Sequence, residues 1–177
     1  MTCPGCGAAM RLEKDKDCLI CDYCGTMHFP DPNPDGVRVL DEPAGVLCPR
    51  CNTGLVHASV GGERIRYCEK CHGMLVDMDL FLAIVEELRS RHESSEYAGK
   101  QPEWDDVNVH IKCPQCGAEM DTHPYGGPGN VIIDTCEHCS LNWLDYGELQ
   151  RIVRAPDERY VIQIDEDEKL NLGKQNK

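Results

Sequence analysis

The sequence is poor in the residues that build a single large core. Its 177 residues include only two Phe and two Trp, and hydrophobic residues make up 41% of the chain. Glycine and proline are frequent by contrast, with 16 and 11 copies. Such a composition favours several small units, each of which needs a source of stability other than its own apolar core.

Long apolar runs are also missing. No stretch approaches the ~18 consecutive apolar residues of a membrane span. A secretory signal has a basic segment followed by an apolar one, and the N-terminus shows no such pattern. We therefore expect a cytoplasmic protein with no membrane partner. Cysteines stay as free thiols in that reducing compartment.

Cysteine is the abundant residue type, with 13 copies. Most form Cys-x-x-Cys pairs, and the pairs come in three sets with 14, 16 and 19 residues between the two pairs of a set. Two residues between cysteines let both thiolates reach one ion from a tight turn, and two such turns complete a tetrahedron. The pattern predicts three four-cysteine sites and therefore three Zn²⁺ ions. The predicted ligands are Cys3, Cys6, Cys21 and Cys24 at site 1, Cys48, Cys51, Cys68 and Cys71 at site 2, and Cys113, Cys116, Cys136 and Cys139 at site 3.

The three cysteine sets predict a tandem repeat of small modules. A glycine-rich turn lies between the two pairs of the second and third sets, as a β-hairpin requires. An apolar helical stripe follows the second set at Leu80–Leu88, and a shorter stripe follows the third at Leu149–Val153. We predict a small, metal-stabilised α+β fold of three tandem zinc ribbons, the second and third each followed by a helix.

The boundaries follow from these elements, and the run of Pro and Gly after residue 30 predicts a first linker. The predicted segments, in chain order, are module 1 at 1–30, a linker at 31–47, module 2 with its helix at 48–92, a linker at 93–106, module 3 with its short helix at 107–156, and a C-terminal strand and acidic tail at 157–177.

Cys18 has no place in a four-cysteine set. The pair Cys21/Cys24 is followed by a glycine, as a zinc-binding turn favours, and the pair Cys18/Cys21 is not. A buried strand residue is the simpler interpretation of Cys18. The alternative is a spare ligand or redox-sensitive thiol, because a thiol three residues from a ligand could replace it.

Two stretches resemble a known family. The segment Cys48–Asp77 and, more closely, Cys136-x-x-Cys139 with the following run Trp143-Leu-Asp-Tyr-Gly-Glu-Leu149 resemble the transcription factor IIB-type zinc-finger family of small, mostly bacterial proteins. The resemblance covers about 48–90 and 113–154 and implies zinc ligands at the eight aligned cysteines. Module 1 is similar only to a generic zinc ribbon. Trp143 aligns with Leu75, which favours a packing role for the indole.

Function is predicted from the closed ligand sets and from charge. Four protein ligands leave no open position on a zinc ion, so we expect no enzymatic activity. The leading hypothesis is an adaptor or regulatory protein that presents its ribbons to a protein partner. The net charge of −13, or about −19 with three zinc–tetrathiolate centres, favours a basic partner.

Two alternatives stand beside the adaptor hypothesis. A nucleic-acid-binding accessory of transcription or translation is disfavoured by the net charge, although module 2 carries local positive charge. Its predicted contacts are Arg50, Arg64, Arg66 and Lys70. A thiol redox or zinc sensor centred on Cys18 is the third hypothesis.

Overall fold

The computed structural model describes residues 1–13, 18–91, 109–125 and 131–155. The predicted linker at 93–106 and the predicted strand and tail at 157–177 lie outside these residues. The elements, in chain order, are β1 Arg11–Glu13, β2 Cys18–Ile20, β3 Met27–His28, β4 Arg38–Leu47, β5 Gly54–Val60, β6 Glu63–Tyr67, β7 Met74–Asp77, α1 Met78–Arg91, β8 Asp121–Pro124, β9 Ile132–Cys136, β10 Leu141–Leu144 and α2 Glu148–Arg154. The predicted α+β fold, with a helix after the second and third cysteine sets, is confirmed. Neither described helix is long and apolar enough to cross a membrane.

Module 1 is built on a small antiparallel sheet of its own. Its three strands lie in the order β1-β2-β3, with Arg11 opposite Ile20 and Leu19 opposite His28. Cys18 and Leu19 of the central strand β2 are buried. The simpler interpretation of Cys18, a buried strand residue, is therefore confirmed.

Modules 2 and 3 share one sheet. Its seven strands are ordered β4-β5-β6-β7-β10-β9-β8, so that β7 of module 2 pairs with β10 of module 3. The pairing is antiparallel and places Leu75 directly opposite Trp143. These two residues are also equivalent in the aligned sequences of the modules. An approximate two-fold axis therefore passes between them, and the two modules form one unit.

Strand β4 corrects the prediction of a linker at 31–47. Arg38–Leu47 pairs with β5, with Val39 opposite Ala58 and a shift of register on either side of Pro43. Proline has no amide hydrogen to donate, and it is tolerated here because β4 is an edge strand and is irregular at that point. The linker prediction was wrong for this stretch because proline, which interrupts a central strand, is compatible with an edge strand.

The residues before β4 also pack onto the two-module unit. The Asn33 side-chain oxygen accepts hydrogen bonds from the backbone N–H groups of Asp35 and Val37. Its amide donates to the Tyr67 hydroxyl at 2.9 Å, and Gln150 of α2 donates to the Asp35 carbonyl oxygen. The chain between module 1 and module 2 is thus bonded to both halves of the unit.

Both helices cover the same face of the seven-stranded sheet. α1 buries Phe81, Ile84, Val85 and Leu88, and α2 buries Leu149, Ile152 and Val153, as the apolar stripes predict. They pack on alternate residues of the central strands in a core that includes Met74, Val76 and Leu144. The Arg89 guanidinium of α1 donates to the Ile152 carbonyl oxygen at 2.7 Å, near the C-terminal end of α2.

The opposite face of the sheet carries a second core, which includes ligand cysteines of sites 2 and 3. Leu75, Leu141 and Trp143 lie at its centre, and Trp143 is completely buried. The packing role predicted for this indole is confirmed. A Cβ atom added to Gly73 would lie 2.9 Å from Trp143 Cη2 and still closer to Cζ2, so that the indole occupies the space that any other residue would fill.

Gly73→Ala is expected to destabilise the zinc-loaded protein by about 1–3 kcal/mol, because the new methyl group forces Trp143 out of its packed position. Gly54→Ala is the matched control, since no atom lies within 4 Å of a Cβ added there, and it should change stability by no more than about 0.5 kcal/mol. Thermal unfolding of the two variants measures the difference. Equal midpoints would contradict the close approach of Trp143 to Gly73.

Candidate metal centres

The twelve predicted ligands come together in three four-cysteine clusters, and the four Sγ atoms of each cluster lie within 4.8 Å of one another. The Sγ–Sγ distance is 3.4 Å for Cys51–Cys68 and 3.8 Å for Cys116–Cys136. A tetrahedral ion with Zn–S bonds of ~2.3 Å requires sulfur atoms about 3.8 Å apart. A disulfide requires ~2.05 Å, and all thirteen cysteines are free. The donor sets therefore fit three zinc ions.

Each cysteine pair lies in a tight turn that is closed by backbone hydrogen bonds. In the first turn of site 2, Cys48 N–H donates to the Thr53 carbonyl oxygen and Asn52 N–H donates to the Cys48 carbonyl oxygen. The residue after the second cysteine has a positive φ in the turns of all three sites. Glycine is not always used there: Asn52 has φ 57°, His72 has φ 62° and Ser140 has φ 53°. Glycine, which the sequence pattern favours at this position, occupies it in three of the six turns, and polar residues adopt the same backbone conformation in the other three.

Threonine hydroxyl groups support two of the thiolates. Thr26 Oγ1 lies 3.0 Å from Cys24 Sγ, and Thr53 Oγ1 lies 3.1 Å from Cys51 Sγ. Each hydroxyl group donates a hydrogen bond to its thiolate, and this bond is the largest of several causes that lower the pKa of Cys24 and of Cys51 to about 6. In site 3 the backbone N–H of Ala118 lowers the pKa of Cys116. These groups favour the deprotonated sulfur, which is the form that binds zinc.

The three sites differ in how far their ligands are shielded from solvent. Site 1 has two exposed ligands, Cys6 and Cys24, and site 3 has one, Cys116. All four ligands of site 2 are buried or half-buried. Chelators and alkylating reagents therefore have the best access to site 1 and the poorest access to site 2.

Comparison with protein families assigns two of the three modules. Residues 47–87 and 112–155 match a family model described as a transcription factor zinc-finger. Modules 2 and 3 are two copies of this zinc ribbon. The eight cysteines of sites 2 and 3 fall inside the two matched ranges, while the four-cysteine cluster of module 1 fits an additional N-terminal ribbon. Comparisons with curated proteins and with solved structures found no match.

Two of the four basic residues predicted to contact nucleic acid bond carboxylates of the zinc ribbons. The Nε and Nη2 atoms of the Arg50 guanidinium both donate to the Asp145 carboxylate. Arg66 bonds the Asp77 carboxylate at 3.3 Å. Arg64 lies on β6 opposite Ser59, and Lys70 is exposed in a zinc-site turn.

The spare thiol of module 1 is not a fifth member of its metal site. Cys18 lies outside the cluster formed by Cys3, Cys6, Cys21 and Cys24. Its burial in strand β2 keeps it away from solvent as well.

Sequence reasoning missed the residues that support the metal ligands. Thr26 and Thr53 each stand two positions after a ligand cysteine, a spacing that could have indicated a hydrogen bond to sulfur. The Arg50–Asp145 ion pair had no local signal, because its members are 95 residues apart and meet only through the pairing of β7 with β10.

The purified chain is expected to hold three zinc ions, measured by native mass spectrometry, and EDTA is expected to unfold it, because structural zinc supplies folding free energy. Cysteine alkylation during chelation should reach Cys6 and Cys24 first and the site 2 ligands Cys51 and Cys71 last. The order follows the solvent exposure of the ligands. Loss of zinc from site 2 before site 1 would contradict it.

Thr26→Val is expected to raise the pH at which site 1 releases zinc. Several hydrogen bonds, the largest from the Thr26 hydroxyl, lower the pKa of Cys24 from 9.0 to about 6 and so favour the thiolate that binds zinc. Without the hydroxyl group the pKa rises, and protons displace the metal at a higher pH. Thr26→Ser keeps the hydroxyl and should behave as the wild type. Cysteine alkylation across an acid titration reports the release of zinc from site 1 and measures the shift. Identical curves for Thr26→Val and Thr26→Ser would exclude this role of the hydroxyl group.

Proposed function

We propose that the chain is a non-enzymatic, zinc-stabilised adaptor whose module 1 binds a basic, partly apolar segment of a protein partner. The observation that carries the proposal is a set of exposed apolar side chains on module 1, which we call the module 1 surface. Tyr23 is 84% exposed, Phe29 55% and Met27 44%. Aromatic residues and Met are enriched at protein interfaces, and their burial contributes roughly 25 cal/mol per Å².

Strand geometry brings two members of the module 1 surface together. Met27 lies on the edge strand β3, and Phe29 follows it by two positions. Residues two apart on extended chain project from the same face. In the described part of the chain β3 pairs with a strand on one side only, so a partner strand could add main-chain hydrogen bonds at its other edge.

Charge favours a basic partner for this surface. Four thiolates and one Zn²⁺ carry a formal charge of −2, and two of the thiolates of site 1 are exposed. Tyr23 lies between Cys21 and Cys24 in the same turn, so an exposed aromatic ring adjoins an anionic centre. A Lys or Arg side chain can interact with both features, by charge attraction and by stacking its cation on the ring.

Two ion pairs support a protein partner over nucleic acid. Arg50 and Arg66 bond Asp145 and Asp77, so a phosphate group would have to compete with a carboxylate at each position. Repulsion from the net charge of −13 acts in the same direction.

The proposed absence of catalysis and of redox sensing rests on ligand number and burial. Each cluster supplies four sulfur ligands, which completes a tetrahedral zinc site without a water molecule or substrate. Cys18 is completely buried, whereas oxidants react first with accessible thiolates. Twelve thiols that must stay reduced to bind metal also support the proposed cytoplasmic location.

Met27→Ser/Phe29→Ser is expected to reduce capture of the partner from lysate at least about tenfold, because two apolar anchors are lost. Leu82→Ser is the matched control: Leu82 is 60% exposed but lies on α1 of module 2. Quantitative cross-linking of zinc-loaded baits measures the difference, and each bait must still contain three zinc ions.

The bound partner should also survive nuclease treatment and be released by high salt. Equal capture by the double variant and by Leu82→Ser would exclude the module 1 surface. A partner lost on nuclease treatment, and lost equally from Arg64→Gln/Lys70→Gln, would replace the adaptor proposal with nucleic-acid binding by module 2.

A further inference from the structure

Zinc site 2 is formed by cysteines of module 2, yet residues of module 3 contact both of its cysteine turns. The first turn contains Arg50 between Cys48 and Cys51, and the second ends at Gly73, whose carbonyl oxygen accepts a hydrogen bond from Cys68 N–H. A residue of β10 contacts the second turn, and the residue that directly follows β10 contacts the first turn. Module 3 therefore adjoins site 2 at two independent points.

Trp143 makes the contact with the second turn. Its indole lies so close to Gly73 that a Cβ atom added there would be 2.9 Å from Cη2 and 3.0 Å from Cε2. Trp143 belongs to the same buried cluster as Cys48 and Cys68, the two buried ligands of site 2. The ring thus packs against the metal-binding half of module 2 and limits movement of the turn.

Asp145 makes the contact with the first turn. Its carboxylate accepts hydrogen bonds from two nitrogen atoms of Arg50, with Arg50 Nε 3.1 Å from Oδ1. The Trp143 indole Nε1–H donates to Oδ1 of the same carboxylate at 2.8 Å. Glu148 Oε2 in turn accepts a hydrogen bond from the Asp145 backbone N–H at 2.7 Å. Trp143 and Asp145 are therefore held as one group, and the ion pair with Arg50 is only partly exposed.

The approximate two-fold axis does not reproduce this arrangement at site 3. Asp77 is equivalent to Asp145, but its carboxylate bonds Arg66 of its own module. Gln115, the equivalent of Arg50 in the first turn of site 3, has no charge. Leu75 takes the place of Trp143 and has no polar side-chain atom. Among the described residues, module 3 thus makes bonds to the turns of site 2 that module 2 does not make to the turns of site 3.

From this asymmetry we infer that Trp143 and Asp145 are positioning residues for zinc site 2, so that site 2 retains its ion fully only while module 3 is folded. Residues behind a metal ligand shell that orient it typically change metal affinity about 10- to 100-fold. Here they act by fixing the two turns that carry the sulfur atoms. Release of zinc requires those turns to separate, and both are tied to module 3.

Asp145→Asn tests the inference with little change of shape, since the amide oxygen can still accept from Trp143. Zinc-loaded full-length protein is exposed to a chelator, and alkylation of each cysteine is followed by mass spectrometry. We expect Cys51 and Cys71 of site 2 to be alkylated about tenfold faster than in the wild type. Site 1 ligands should keep their wild-type rate.

Two further variants make the result specific. Asp77→Asn is the symmetry-related control and should not accelerate alkylation at site 3 by more than about twofold. Arg50→Gln removes the same ion pair from the module 2 side and should reproduce the effect of Asp145→Asn at site 2. Unchanged site 2 rates in both Asp145→Asn and Arg50→Gln, or equal acceleration at sites 2 and 3, would overturn the inference.

Removal of a whole site gives a second, independent readout. Cys136→Ser/Cys139→Ser destroys site 3, and site 2 should then release zinc at least about tenfold faster, while site 1 keeps its wild-type rate. Cys3→Ser/Cys6→Ser is the control, because it removes site 1 and should leave site 2 at its wild-type rate. A site 2 rate that does not respond to the loss of site 3 would also overturn the inference.

Discussion

The pairing of β7 with β10 is the interaction on which the rest of the two-module unit depends. Without it, module 2 would be a four-stranded sheet and module 3 a three-stranded sheet, each with a buried apolar strand left unpaired at its edge. The pairing creates a seven-stranded sheet with two usable faces. Both helices then pack on one face, and sites 2 and 3 flank Leu75 and Trp143 on the other.

Metal and apolar packing are not separate sources of stability in this unit. One ligand from each cysteine turn of sites 2 and 3 belongs to the buried cluster around Trp143, so the sulfur atoms are part of the core that they help to form. Structural zinc contributes about 10–16 kcal/mol in small peptides, which is as large as the whole stability of an ordinary domain. Loss of the ion therefore removes the anchor of the turn and one wall of the core together.

The elements that the sequence predicts are those with a local signal. The three cysteine sets identify the clusters, and the stripe of Phe81, Ile84 and Leu88 identifies α1, because both patterns repeat over a few residues. The shared sheet had a weaker signal. Met74, Leu75 and Val76 are all buried, and such an unbroken apolar run is typical of a strand covered on both faces.

Other features depend on contacts between distant parts of the chain. The prolines before and within β4 suggested a linker, and only the pairing with β5 shows why Pro43 is acceptable in a strand. The Arg50–Asp145 ion pair likewise follows from the register of β7 with β10. Neither residue is unusual in its own segment, so composition and periodicity contain no trace of the contact.

The two outermost strands of the shared sheet have a consequence for how the protein behaves when it is concentrated. An unpaired edge is a template for self-association into extended β-structure. In the described part of the chain, the edges are β4, which is interrupted by Pro43 and shifted in register, and β8, which is four residues long and ends at Pro124. Each proline removes an amide donor from its edge strand. The sheet that modules 2 and 3 form together is therefore blocked from pairing with a strand of another molecule.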